Sequence, residues 1–119
     1  MSQNFQPGDF LVFQLEAGFA LLRLLAVDET DRDKVWHIAA YGDFFLDVET
    51  AEAALTDLQS IPVTSTHLAL TNRAFESTQV AKIAHIPLTP PESATLNEWR
   101  NGPDHEISDR SIRLLLGLR

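Results

Sequence analysis

The residues able to do chemistry in this chain are carboxylates and imidazoles: it has 17 Asp and Glu, four His and no Cys. The missing cysteine removes disulfides, thiolate nucleophiles and Cys-ligated zinc or iron–sulfur centres. His37, His67 and His85 fall in three separate runs of strand length, and His105 in a polar segment nearer the end. None forms the i, i+4 helical pair of a zinc protease, and nothing else completes a ligand or general-base set. The imidazoles therefore read as cross-strand or capping groups, and neither a metal nor a cofactor is expected. A small hydrolase using one strand histidine and a carboxylate is the enzymatic alternative, and it requires a pocket joining the two. The five glycines are unclustered, which leaves no phosphate cradle, dinucleotide fingerprint or nucleophile elbow.

The densest carboxylate group is Asp28, Glu29, Asp31 and Asp33. A calcium loop of that kind needs a Gly at its sharp turn and a distant bidentate Glu. Here the Gly is missing and Arg32 and Lys34 interrupt the acids, so a solvated hairpin turn is the reading. The first sixty residues hold eleven acids against three bases and the remainder six of each, so the whole net charge of −8 resides in the first half. Such a balance argues against nucleic acid, whose phosphates require a basic footprint. It suits a basic protein partner, steered to a contact surface that includes Asp28, Glu29, Asp31, Asp33, Asp43 and Asp47. Trp99, followed by Arg100 before the break at Asn101-Gly102-Pro103, is either an interface anchor or a helix residue packed on the sheet.

The elements that must position these groups follow from periodicity. Pro7-Gly8-Asp9 is a turn signal ahead of a strand, Phe10 to Leu15, and Glu16-Ala17-Gly18 then suits a tight hairpin with Gly18 at positive φ. The next run, Phe19 to Val27, is apolar on both faces: Phe19, Leu21, Arg23, Leu25 and Val27 alternate with Ala20, Leu22, Leu24 and Ala26. It is covered on both sides, or it belongs to a curled barrel overlaid by a helix. A third strand runs from Lys34 or Val35 to about Tyr41, with Phe44 to Leu46 as a short continuation. Asp47 caps a helix from Val48 to about Leu58, whose buried stripe is Val48, Ala51, Leu55 and Leu58. Two more strands, Thr66 to Thr71 and Gln79 to Ile86, precede a helix that starts at Pro91 and is stopped by Gly102-Pro103. Ser108 or Asp109 caps a last helix carrying Ile112, Leu115 and Leu116 on one face.

Leu114 to Leu118 is more apolar than one helix face needs, which fits docking over the second strand or a homodimer patch. With 45% hydrophobic residues and no linker or repeat, residues 1–119 read as one packed domain. The longest apolar run, Phe19 to Val27, is broken by Arg23 and is too short for a membrane span, and MSQNFQPGD has no signal-peptide character. A cytoplasmic protein without membrane contact is expected. The fold expected is α+β: a bent antiparallel sheet of about five strands, SH3-like or a partly open barrel, with two or three helices.

The opening Pro7-Gly8-Asp9-Phe10-Leu11-Val12-Phe13-Gln14-Leu15-Glu16-Ala17-Gly18-Phe19-Ala20 resembles the start of the immunity protein 26 family, bacterial proteins that neutralise a toxin. Gly8-Asp9, Leu15, Gly18 and Phe19 match its order of a Gly-Asp, an apolar strand ending in Leu, a turn Gly and an aromatic opening the second strand. Phe75 to Ile83, leading through a short strand to a Pro-rich loop, is similar in layout. Gln14 stands where a Pro is expected, and Leu22 and Leu24 leave no Gly in the second strand. The resemblance implies a non-enzymatic protein that binds and occludes a toxin domain. A homodimeric structural domain is the other non-enzymatic alternative.

Overall fold

The computed structural model describes residues 5–16, 18–29, 33–103 and 105–116. Five antiparallel strands, β1 (Asp9–Leu15), β2 (Gly18–Glu29), β3 (Lys34–Phe45), β4 (Val63–Thr71) and β5 (Ala81–His85), form one open sheet in the order β4-β3-β2-β1-β5. Between β3 and β4 come α1 (Val48–Ala54) and a 3-10 turn, Leu55–Ser60. The remaining helices are α2 (Asn72–Glu76), α3 (Pro90–Asn101) and α4 (Ile112–Leu116). The α+β expectation holds. The sheet does not close, because β5 pairs with β1 and leaves β4 as the opposite edge.

Both faces of the sheet are covered, which accounts for the doubly apolar β2. On one face Leu11, Phe13, Leu22, Leu24, Trp36, Ile38 and Leu70 pack with Phe75 of α2 and Ile112 of α4. Trp36 stacks flat on Phe75 with ring centroids 4.0 Å apart, and its indole N–H donates to Asn72 Oδ1 at 2.8 Å. On the other face Phe10, Val12, Leu21 and Phe45 meet Ala51 of α1 and Ile61. The rest of that second face lies beneath α3.

Three local features depart from simple alternation. Leu15 pairs directly with Gly18, so the β1–β2 connection is two residues long. Gly18 has φ +151°, and a Cβ there would strike the Phe45 carbonyl of β3, so glycine is required twice over. In β2, Leu24 pairs with Ile38 but Ala26 with His37, which makes Leu25 an inserted bulge residue. Beyond the bulge the faces exchange: Val27 joins the Trp36 face and Asp28 comes to the face of His37. The expected grouping of Val27 with Arg23 is thereby corrected.

β3 continues through an irregularity near Gly42 instead of breaking there. The long helix expected to Leu58 is α1 followed by the 3-10 turn, with a kink at Asp57 (φ −140°). The α4 backbone is entered from Ser111, whose carbonyl accepts from Leu115 N and whose hydroxyl accepts from Leu114 N, so the starting residue is Ser111 and not Ser108 or Asp109. No helix among the described residues is long and apolar enough to cross a membrane.

Candidate functional site

α3 determines what the second face presents. Thr89 precedes it, and the Glu92 carboxylate accepts from the Thr89 backbone N–H at 2.9 Å, closing the first turn. Glu92, Leu96 and Trp99 recur at i, i+4 and i+7 and look down on the sheet. Glu92 meets Arg23, a side chain only 1% exposed on β2, through Nε at 2.8 Å and Nη2 at 3.1 Å. Arg23 also donates to the carbonyls of Gly8 (2.5 Å) and Pro87 (3.1 Å) and lies 4.2 Å over the Phe10 ring. Burial pushes the Glu92 carboxyl up, but Arg23 and the Thr89 N–H together hold it below its ordinary value.

At the other end of α3, three sheet strands and the helix build an aspartate–histidine–histidine chain. His37 is fully buried; its Nε2 is 2.9 Å from Asp28 Oδ2 and its Nδ1 2.9 Å from His67 Nε2. Trp99 roofs both imidazoles at about 5.0 and 5.1 Å between centroids and reaches His105 on its other side. Arg100 closes the cluster from α3, donating to Asp28 Oδ1 at 2.6 Å. Burial and the neighbouring His37 and Arg100 push His67 down to about 4. Burial likewise lowers His37, outweighing the pull of Asp28.

With both rings neutral and Asp28 able only to accept, the tautomers follow: His37 donates from Nε2, and His67 donates from Nε2 to His37 Nδ1. His67 Nδ1 keeps a lone pair. A cavity of about 230 Å³ adjoins His67, Trp99, Glu106 and Ser108. No metal-binding group of three ligands occurs among the described residues, and both His37 nitrogens are already engaged.

His85 does not join this cluster. On β5 its Nδ1 lies 2.7 Å from Asp9 Oδ1, and Lys82 Nζ lies 3.4 Å from the same oxygen. Burial raises the Asp9 carboxyl, but the Gln6 N–H, His85 and Lys82 more than offset it and leave it below its ordinary value.

The acidic residues separate into two groups at opposite ends of β3, roughly 30 Å apart along the strand. At the first end Asp28 is committed to His37 and Arg100, Glu29 lies 3.8 Å from Lys34, and Asp33 accepts from the Lys34 backbone. Asp31 lies outside the described residues. At the second end are Asp43 and Asp47, followed by the exposed Glu49 and Glu52 of α1. The five described carboxylates of the expected contact surface therefore divide between two ends of the sheet, because the twelve-residue strand β3 runs between the turn and the helix start.

The second end also carries what sequence reasoning passed over. Within Asp43-Phe44-Phe45-Leu46-Asp47, Phe45 turns into the core at 7% exposure while Phe44 and Leu46 stand 51% and 81% exposed. No Lys or Arg occurs anywhere from residue 35 to 72. The signal in the sequence is strand alternation: with Phe45 turned inward, Phe44 and Leu46 on either side of it face water. Trp99, open to both readings as an interface anchor or a helix residue packed on the sheet, is half-buried on α3 against the rings of His37 and His67.

No protein-family model matches the chain, and neither a curated protein nor a solved structure is significantly similar to it. Fold and site geometry alone define the class: an open five-stranded antiparallel sheet with helices on both faces.

Proposed function

We propose that the protein is a non-enzymatic binding module, immunity-like in action, which occludes a cationic partner such as a toxin domain with the end of the sheet formed by Asp43 to Asp47. The observation that carries this reading is the pair of exposed apolar side chains, Phe44 and Leu46, set between Asp43 and Asp47, which make no ion pair among the described residues. Apolar groups supply desolvated anchoring and the surrounding acids supply steering and orientation. Asp47 combines both roles, since it is fixed as the α1 cap by accepting from Thr50 N at 2.8 Å and Thr50 Oγ1 at 2.6 Å. A preset carboxylate loses little side-chain entropy when a cation docks.

The decisive experiment uses the purified product of the adjacent gene, titrated by calorimetry at 50 and 300 mM NaCl. The expected result is at least tenfold weaker binding at high salt, and a comparable loss for Phe44→Ser/Leu46→Ser at constant salt. Affinity indifferent to both removes the proposal. Growth of cells expressing that gene product, with and without this chain, reads the immunity role directly.

A hydrolase is the second reading, favoured by the cavity beside His67 and the His37–Asp28 pair. A base titrating near 4 is poorly matched to work at neutral pH. Equal hydrolysis of an ester panel by the wild type and His67→Ala excludes it.

A further inference from the structure

A second cavity lies on the α3 side of the sheet, between the first turns of α3 and the segment from the 3-10 turn into β4. It measures about 320 Å³ and is lined mainly by carbon, with Leu25, Ala39 and Tyr41 from β2 and β3, Leu58 from the 3-10 turn, and Thr95 from α3. Its origin is steric. α1 and the 3-10 turn cover one part of the face and α3 another, and the small Ala39 side chain between them leaves depth that neither fills.

Two polar features limit what this space accepts. Arg23 and Glu92 both line it, yet they neutralise each other in a two-point ion pair, so the wall offers no net charge. The Tyr41 hydroxyl makes no hydrogen bond among the described residues, and burial, aided by the Glu92 carboxylate against the opposing pull of Arg23, raises its pKa and keeps it protonated. A donor without a partner beside a neutral apolar space suits an acceptor on an uncharged ligand. An added carboxylate would meet Glu92, and an added ammonium would compete against Arg23 for it.

We infer that this cavity is a binding site for an uncharged, mainly apolar small molecule bearing one carbonyl-type acceptor for Tyr41. The site is independent of the Phe44 and Leu46 surface. Prodan, a neutral naphthalene with a single ketone, is the probe, and its emission moves to the blue in apolar surroundings. Titration with the full chain is expected to give a saturable blue shift with micromolar affinity. Tyr41→Phe weakens it about fivefold, and Ala39→Leu, which fills the floor, weakens it at least tenfold. Thr95→Phe, on the helix rim, does the same without touching the sheet, and circular dichroism confirms that each variant is folded. Phe44→Ser/Leu46→Ser leaves prodan affinity unchanged. A missing blue shift, an affinity that Ala39→Leu and Thr95→Phe leave intact, or tighter binding of the anionic probe anilinonaphthalene sulfonate overturns the assignment.

Discussion

Arg23 shows how one residue decides the character of a face. A guanidinium 1% exposed on a strand is tolerated because Glu92 and two backbone carbonyls satisfy it. Arg23→Ala leaves Glu92 and those carbonyls unmatched and is expected to cost about 3–5 kcal/mol, whereas Arg23→Met with Glu92→Leu recovers much of the loss. Urea denaturation of the three proteins checks this. His67 makes a second prediction at the same scale. Its folded pKa, about 4, lies below the ordinary value of 6.5, so the unfolded chain takes up a proton that the folded chain refuses. Stability is therefore complete above about pH 6.5 and falls as pH drops toward 4, with His37 shifted in the same direction. Denaturant midpoints at pH 7.5 and 5.0 measure it, and His67→Gln flattens the dependence.

At the scale of elements, the bulge at Leu25 and the helix α3 act together. The bulge brings Asp28 onto the face of His37, and α3 lays Trp99 and Arg100 over the result. Trp99→Ala opens the imidazoles to water, so the His67 pKa is expected to rise toward 6.5 and stability to fall by about 2 kcal/mol. NMR titration of the His67 ring protons separates that shift from a purely structural loss. The β1–β2 hairpin depends in the same way on one backbone position. Gly18→Ala forces a side chain against the Phe45 carbonyl at positive φ and is expected to cost about 1–3 kcal/mol, read from thermal melts.

For the whole molecule, the question is where apolar surface and charge remain after packing. α4 spends Ile112 on the core and packs Leu115 and Leu116 against it, leaving Leu114 at 71% exposure; Gly117 and Leu118 lie outside the described residues. Among the described side chains of α4, Leu114 is the exposed one, and by itself it supplies far less than the roughly 800 Å² per partner of a standard interface. Light scattering at 1 mM protein is expected to report 13.3 kDa, and twice that mass would favour the homodimer instead. Charge is also placed unevenly at this scale. Lys34 and Arg100 offset the acids at one end of β3, while among the described residues no ion pair reaches Asp43, Asp47, Glu49 or Glu52 at the other.

Alternation, turn residues and caps in the sequence by themselves determined the meander, the Asp47 cap, the Pro-started α3 and an apolar β2 needing cover on both faces. These are local consequences of backbone geometry, written within a few residues of where they act. Arg23 was legible as a break in an apolar run, but its burial and its partner, 69 positions away on α3, came only with the fold. The strand histidines were visible too, but only the pairing of β3 with β4 and the inserted Leu25 joined His37 to His67 and Asp28. The tertiary structure alone decided which carboxylates stay unneutralised and which apolar side chains stay wet. Both depend on register and on helix placement, where a shift of one residue moves a side chain to the opposite face.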